Sequence, residues 1–99
     1  MNQRHVTLRQ FRYFVAVAES GSVAAASRTL NIAQSALTKS MQELEDEGGS
    51  RLFERSSRGM QLTAQGHRFL TGARRVLAAV SDATRLHAAG DAPTLVGML

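Results

Sequence analysis

The chain has 99 residues, room for one small domain and not for two ordinary ones. Lys and Arg number 12 against 8 acids, a net charge of +4, and every cation but Lys39 is Arg, whose rigid and permanently charged fork suits phosphates and base edges, so an anionic partner is favoured. The absence of Cys excludes disulfides, thiolate zinc sites and Cys nucleophiles; no apolar run approaches the roughly 20 residues of a membrane-spanning helix, and residues 1–5 lack the apolar centre of a secretion signal. A cytoplasmic protein with no membrane partner is expected.

The first predicted helix opens at Thr7-Leu8-Arg9-Gln10. This T-x-x-Q spacing is a capping box, in which the two side chains satisfy two orphaned backbone amides. Leu8, Phe11, Val15 and Ala18 follow at helical spacing, Phe14 widens the stripe, and Gly21 stops the helix as a left-handed residue. Ser22 caps a short second helix, residues 23–30, whose small residues let another helix come close. Asn31 ends it, since Asn tolerates the left-handed conformation.

A third helix follows the short link Asn31-Ile32-Ala33. Ile32 and Leu37 stand where a hydrophobic staple places them, whereas Ala33 is a poor N-cap. Leu37, Met41 and Leu44 form its buried stripe. Ser35, Thr38, Lys39 and Gln42 lie on the opposite face with Gln34 at the flank. That face is polar, mostly uncharged and rich in hydrogen-bonding groups. Glu43, Glu45, Asp46 and Glu47 crowd the far end. They read as a solvated helix end rather than a cation site, because no loop of calcium-ligand spacing follows.

Gly48-Gly49 breaks this helix. Residues 52–55 and 60–63 are two strand candidates joined by a turn at 56–59, where Gly59 is free to take positive φ. Two strands alone are marginal and must lean on the helices. Thr63 then caps a long helix from about Ala64 to Ala89. Phe69, Ala73, Val76, Val80, Ala83 and His87 follow a 4-3-4-3-4 spacing, with Leu70 and Leu77 beside them. Such a heptad seam asks for a second helix. A helix this long outruns a core this small, which favours dimerisation over packing on its own domain. Residues 90–93 end the helix, and residues 94–99 read as one apolar strand. His5, His67 and His87 are widely separated, and no paired carboxylates or activated nucleophile are evident, so neither a metal site nor an enzyme is expected.

Three helices, a two-stranded ribbon and a long helix make a mainly α winged helix-turn-helix followed by a dimerisation linker. In this motif the later helix enters the major groove amino end first. The charge layout agrees: the helix start combines the positive dipole end with Gln34, Ser35, Thr38 and Lys39, while phosphates would repel the carboxylates at the other end. The turn at 56–59 is the expected wing, with Arg58 at its tip.

Residues 7–66 resemble the DNA-binding domain of LysR-type bacterial transcriptional regulators. The carrying residues are Leu8-Arg9-Gln10-Phe11 with Phe14, Gly21-Ser22-Val23 with Ala26-Ser27 and Leu30, Gln34-Ser35-Ala36-Leu37-Thr38, Glu43-Leu44-Glu45, Arg51-Leu52-Phe53-Glu54-Arg55, and Leu62-Thr63 with Gly66. Each piece is weak alone; in order and correctly spaced they are strong. The resemblance implies a winged helix-turn-helix at 1–63, a linker and dimerisation helix at 64–90, and at 91–99 a hinge and the first strand of an effector-binding domain, in a regulator of about 300 residues. It implies double-stranded promoter DNA as partner, on a partly palindromic site. It further implies a homodimer through Phe69, Ala73, Val76, Leu77, Val80 and Ala83, with a tetramer as an option for the full-length protein. No cofactor is expected in this stretch, and a small-molecule effector is expected for the whole.

By the same resemblance Gln34, Ser35, Thr38 and Lys39 carry groove contacts: Gln pairs with adenine, Lys with guanine, and Ser or Thr with phosphate or either base. Arg58, beside Ser57, would reach the minor groove or its phosphates. Arg55 is evenly divided between a phosphate contact and an ion pair with Glu43 or Glu54. Ser22 is first a helix cap and also a phosphate contact, and Ser27 and Arg28 are lesser backbone candidates. Two departures stand out. Ala33 replaces the family's usual hydroxyl residue, which should weaken the start of the reading helix by roughly 1 kcal/mol. Gly48 and Ser50 replace apolar residues, which should leave a packing gap beneath the wing. The alternative reading is a winged-helix protein-interaction module without DNA binding.

Overall fold

The computed structural model describes residues 6–90. Their elements are α1 (Leu8–Ser20), α2 (Val23–Leu30), α3 (Gln34–Gly48), β1 (Phe53–Ser56), β2 (Gly59–Leu62) and α4 (Ala64–Gly90). The strand expected at 94–99 lies outside the described residues.

The helix ends follow local chemistry. Thr7 Oγ1 accepts from the Gln10 amide, and Gln10 Oε1 accepts from the Thr7 amide, both at 3.1 Å. Gly21 (φ 76°) closes α1 and donates to the Val17 carbonyl. Ser22 Oγ accepts from the Ala25 amide at 2.9 Å, and Asn31 (φ 58°) turns the chain into the link before α3. Ala33 makes no side-chain cap, as its methyl group dictates. At the far end Gly48 is still helical and Gly49 (φ 71°) takes the left-handed position.

The two strands pair antiparallel, Phe53 with Leu62 through Ser56 with Gly59. Each is displaced one residue toward the turn from its expected bounds, leaving Ser57-Arg58 as the link. The cause lies at both ends of the ribbon. Leu52 and Thr63 keep one bond, the Thr63 amide to the Leu52 carbonyl at 3.0 Å, but the Leu52 amide that would return it donates to Glu45 on α3, and Thr63 Oγ1 accepts from the Gly66 amide to cap α4. At the tip, Ser56 Oγ accepts from the Arg58 amide and donates to the Gly59 carbonyl, while Gly59 adopts φ 101°.

All four helices and the wing contribute to one core: Phe14 and Val17 from α1, Ala26 from α2, Leu37, Met41 and Leu44 from α3, Leu52 and Phe53 at the wing, and Ala73 from α4. The α1 stripe is rotated from the expected one. Phe14 and Val17 are its buried centre, Phe11, Val15 and Ala18 are half-buried, and Leu8 is 40% exposed. Helices α2, α3 and α4 all pack against α1, so its covered face is centred between them.

Helix α4 passes so close to the start of β1 that Gly66 has no room for a side chain; a Cβ there would sit 2.1 Å from the Leu52 carbonyl oxygen. Gly66→Ala should therefore destabilise the fold by about 1–3 kcal/mol or more, read as a lowered denaturation midpoint. A midpoint equal to that of the unsubstituted chain would show the approach to be looser than described. Gly48 is the opposite case. A Cβ there meets nothing within 4 Å, and the residue lines an apolar groove of about 480 Å³ with Val6, Leu44, Ser50, Leu52 and Phe69. Gly48→Leu should gain helix propensity and apolar cover, raising Tm by about 4–8 °C for each kcal/mol gained. A fall on thermal melting would contradict this packing account.

Candidate nucleic-acid interface

Burial of Leu37, Ser40, Met41 and Leu44 fixes the roll of α3 about its axis. Its opposite face is thereby presented outward: Gln34, Ser35, Thr38, Lys39 and Gln42 are all exposed and border one shallow depression. This face follows from helical period alone, since the residues that define it are the complement of the buried stripe.

A second concavity, of about 410 Å³, lies between the start of α2, the flank of α3 and the wing. It brings together Ser22, Gln34, Thr38 and Arg55, four of the residues selected from sequence. Ser35 and Lys39 border the outer depression instead, and Ser57 and Arg58 occupy the exposed wing turn. Gln42 and Ser56 also line the concavity, although sequence reasoning left them off its site. Gln42 had a signal, lying four residues beyond Thr38 on the same helical row. Ser56 had none, because its place depends on the strand register.

The charged groups sort by their partners. Arg55 is exposed and makes no ion pair with Glu43 or Glu54. Glu43 instead accepts from Gln10 Nε2 at 3.2 Å, and Asp46 accepts from Gln42 Nε2 at 3.3 Å. Glu45 accepts from the amides of Leu52 and Phe53. The acids at the carboxyl end of α3 are thus largely structural. Ser27 is 8% exposed and its hydroxyl donates to the Ala24 carbonyl at 2.8 Å, which removes it from the backbone-contact candidates; Arg28 is exposed on the last turn of α2. Among the described residues no three His, Asp or Glu side chains gather as a metal ion would require, and no helix is long and apolar enough to cross a membrane.

Helix α4 serves two ends. Phe69 packs against Phe11 and Phe14, and Ala73 is fully buried in this subunit's own core. The first two seam positions therefore face inward, because α1 lies across the first turns of α4. Val76, Leu77 and Val80 are half-buried, Ala83 and His87 are exposed, and Leu86 is 73% exposed.

A helix-turn-helix pair, a two-stranded wing beside its second helix and a projecting linker helix define a winged helix-turn-helix protein. The family model described as bacterial regulatory helix-turn-helix protein, lysR family, matches residues 8–67, and the chain belongs to that family. The HTH-type transcriptional regulator TcbR of Pseudomonas sp. (strain P51) is 49% identical over 86 residues, 84% of this chain and 29% of TcbR. The crystal structure of BenM_DBD with catB site 1 DNA matches with a TM-score of 0.83 at 38% identity, covering 87% of this chain and 97% of that one. Full-length CbnR complexed with its target DNA matches with a TM-score of 0.78 at 45% identity, covering 85% of this chain and 29% of that one. The chain thus spans 29% of the length of both TcbR and full-length CbnR.

Proposed function

We propose that this chain is the DNA-binding part of a transcriptional regulator, with α3 as the helix that reads the major groove. The observation that carries this is the outward face of α3: Gln34, Ser35, Thr38, Lys39 and Gln42, polar and exposed, with the wing and the start of α2 beside it. Lys39 and Gln34 supply base-edge chemistry, Ser35 and Thr38 bind bases or phosphates, and Arg55, Arg58, Ser57 and Ser22 reach the backbone and the flanking minor groove. The solved complexes of CbnR and BenM_DBD with DNA, similar to this chain at 45% and 38% identity, support the reading.

Residues 1–63 form the binding domain in this reading, 64–90 the linker helix, and 91–99 the hinge toward an effector-binding domain that senses a small molecule. The protein is a cytoplasmic regulator and not an enzyme. Two chains pair through Val76, Leu77, Val80 and Ala83, placing two reading helices on the half-sites of a partly palindromic promoter sequence.

Selection of duplexes from a random pool, followed by gel shifts at several salt concentrations, tests the reading; affinity should fall steeply with salt. Salt-insensitive or absent binding would favour a protein-interaction module. On a selected duplex, Lys39→Ala should weaken binding by about 1–3 kcal/mol, with a smaller loss on random DNA. Equal losses on both would assign Lys39 to phosphate. Val76→Asp combined with Val80→Asp should yield monomers with weak affinity for the selected duplex. An unchanged sedimentation profile would count against the seam.

A further inference from the structure

We propose that Glu45 is a positioning residue for DNA recognition: it sets where the wing stands against α3 and so decides whether Arg58 reaches the duplex. The inference rests on the DNA-binding reading above. Glu45 lies near the carboxyl end of α3, and its side chain is 15% exposed. Its Oε2 accepts from the Leu52 amide at 2.8 Å and from the Phe53 amide at 3.2 Å. These amides belong to the root of the wing, where Leu52 and Phe53 are buried. Burial of two apolar side chains is non-directional and tolerates rotation. Two hydrogen bonds to a single oxygen are directional and do not.

The root is held from its other side as well. Thr63 Oγ1 donates to the Arg51 carbonyl at 2.6 Å, and the Thr63 amide donates to the Leu52 carbonyl at 3.0 Å. The Leu52 and Phe53 amides therefore answer to α3 and the Arg51 and Leu52 carbonyls to the cap of α4, while the Phe53 carbonyl accepts from Arg51 Nη2 at 3.4 Å. From Phe53 to Ser57 the ribbon is a lever of about 13 Å, so a turn of about 10° at the root moves the tip by about 2 Å. A displacement of that size breaks a hydrogen bond to DNA. The nearby Arg51 guanidinium contributes little, since it lies 4.0 Å from Glu45 Oε1 and is 74% exposed.

Reach and charge can be separated by substitution. Glu45→Gln keeps an acceptor oxygen at full length and removes the charge. Glu45→Asp keeps the charge and withdraws the oxygen by one methylene. Because the chain lacks Cys, spin labels can be attached through Ser57→Cys on the wing and Ser35→Cys on α3 without touching other sites. Their distance distribution, measured without DNA, should stay narrow with Gln and broaden with Asp. On a duplex selected by the unmodified chain, Arg58→Ala should cost about tenfold in affinity in the parent and Gln backgrounds. In the Asp background it should cost less than about twofold, while the Lys39→Ala loss stays the same in all three.

An Arg58 loss that persists in the Asp background, or an unbroadened distribution there, would overturn the proposal. So would a Gln variant that behaves like Asp. If the Asp variant is unfolded by circular dichroism at the assay temperature, Glu45→Gln decides alone: a broadened distribution or a lost Arg58 effect refutes hydrogen-bond reach, and parental behaviour upholds it. An Arg58→Ala change without cost in the unmodified chain instead refutes the wing's part in DNA binding. Absence of any selected duplex refutes the DNA reading itself.

Discussion

The ring of Phe14 lies between Phe53 at the wing root and Phe69 on α4, with centroids 5.1 and 4.8 Å away. Phe14 is fully buried, and its edge-on contact with Phe69 is continued by the stacking of Phe11 on the same ring. Each such pair contributes about 0.5–1.5 kcal/mol beyond the area it buries. Position matters more here than energy. This one side chain of α1 is in contact with both the wing and the linker helix, and α1 packs against α2 and α3. The outward face of α3, the wing beside it and the direction of α4 are all referred to the same buried ring.

That arrangement divides α4. Its first turns complete the core through Phe69 and Ala73, and Arg74 adds an exposed ion pair to Glu19 at 3.0 Å, of small worth in water. A helix of 27 residues runs about 40 Å, well past what the core can cover. Beyond Ala73 the stripe of Val76, Leu77, Val80 and Ala83 meets progressively less of its own subunit. Apolar side chains on a projecting helix gain from a second helix what the first domain does not supply. Because α4 is anchored at its amino end, pairing there would fix the separation of two reading helices without new contacts near α3.

Features set by neighbours in sequence were legible in advance. The capping box at Thr7 and Gln10, the caps at Ser22 and Thr63, the left-handed Asn31 and the uncapped Ala33 each depend on a few adjacent residues. So does the outward face of α3, which needs only the helical period. What escaped depends on contacts made across the fold. The heptad pattern does not reveal that Ala73 faces α1, because an inward face and a dimer seam share one period. At the root the strand bounds shifted because the Leu52 amide, which would complete the pair with Thr63, donates to Glu45 on α3 instead. Gly66 stood in the family pattern without a role until the Leu52 carbonyl was seen against it. The missing apolar volume at Gly48 and Ser50 was legible from the interrupted stripe, but the groove they line runs between the end of α3 and the start of α4, not beneath the wing strands as expected.

The acids of α3 bring these levels together. From sequence they are a polarity device, leaving the amino end of the helix free of negative charge where phosphates would approach. In the fold they are also fasteners. Glu43 receives Gln10, which already belongs to the α1 capping box, and so couples the start of α1 to α3. Asp46 holds Gln42, and Glu45 holds the wing root. Moving these carboxylates toward the amino end would place negative charge at the reading face and free both α1 and the wing. The same placement therefore meets an electrostatic requirement and a mechanical one. The carboxyl end of α3 is the part of the helix that can be tied down, because it is the end that the proposed duplex does not touch.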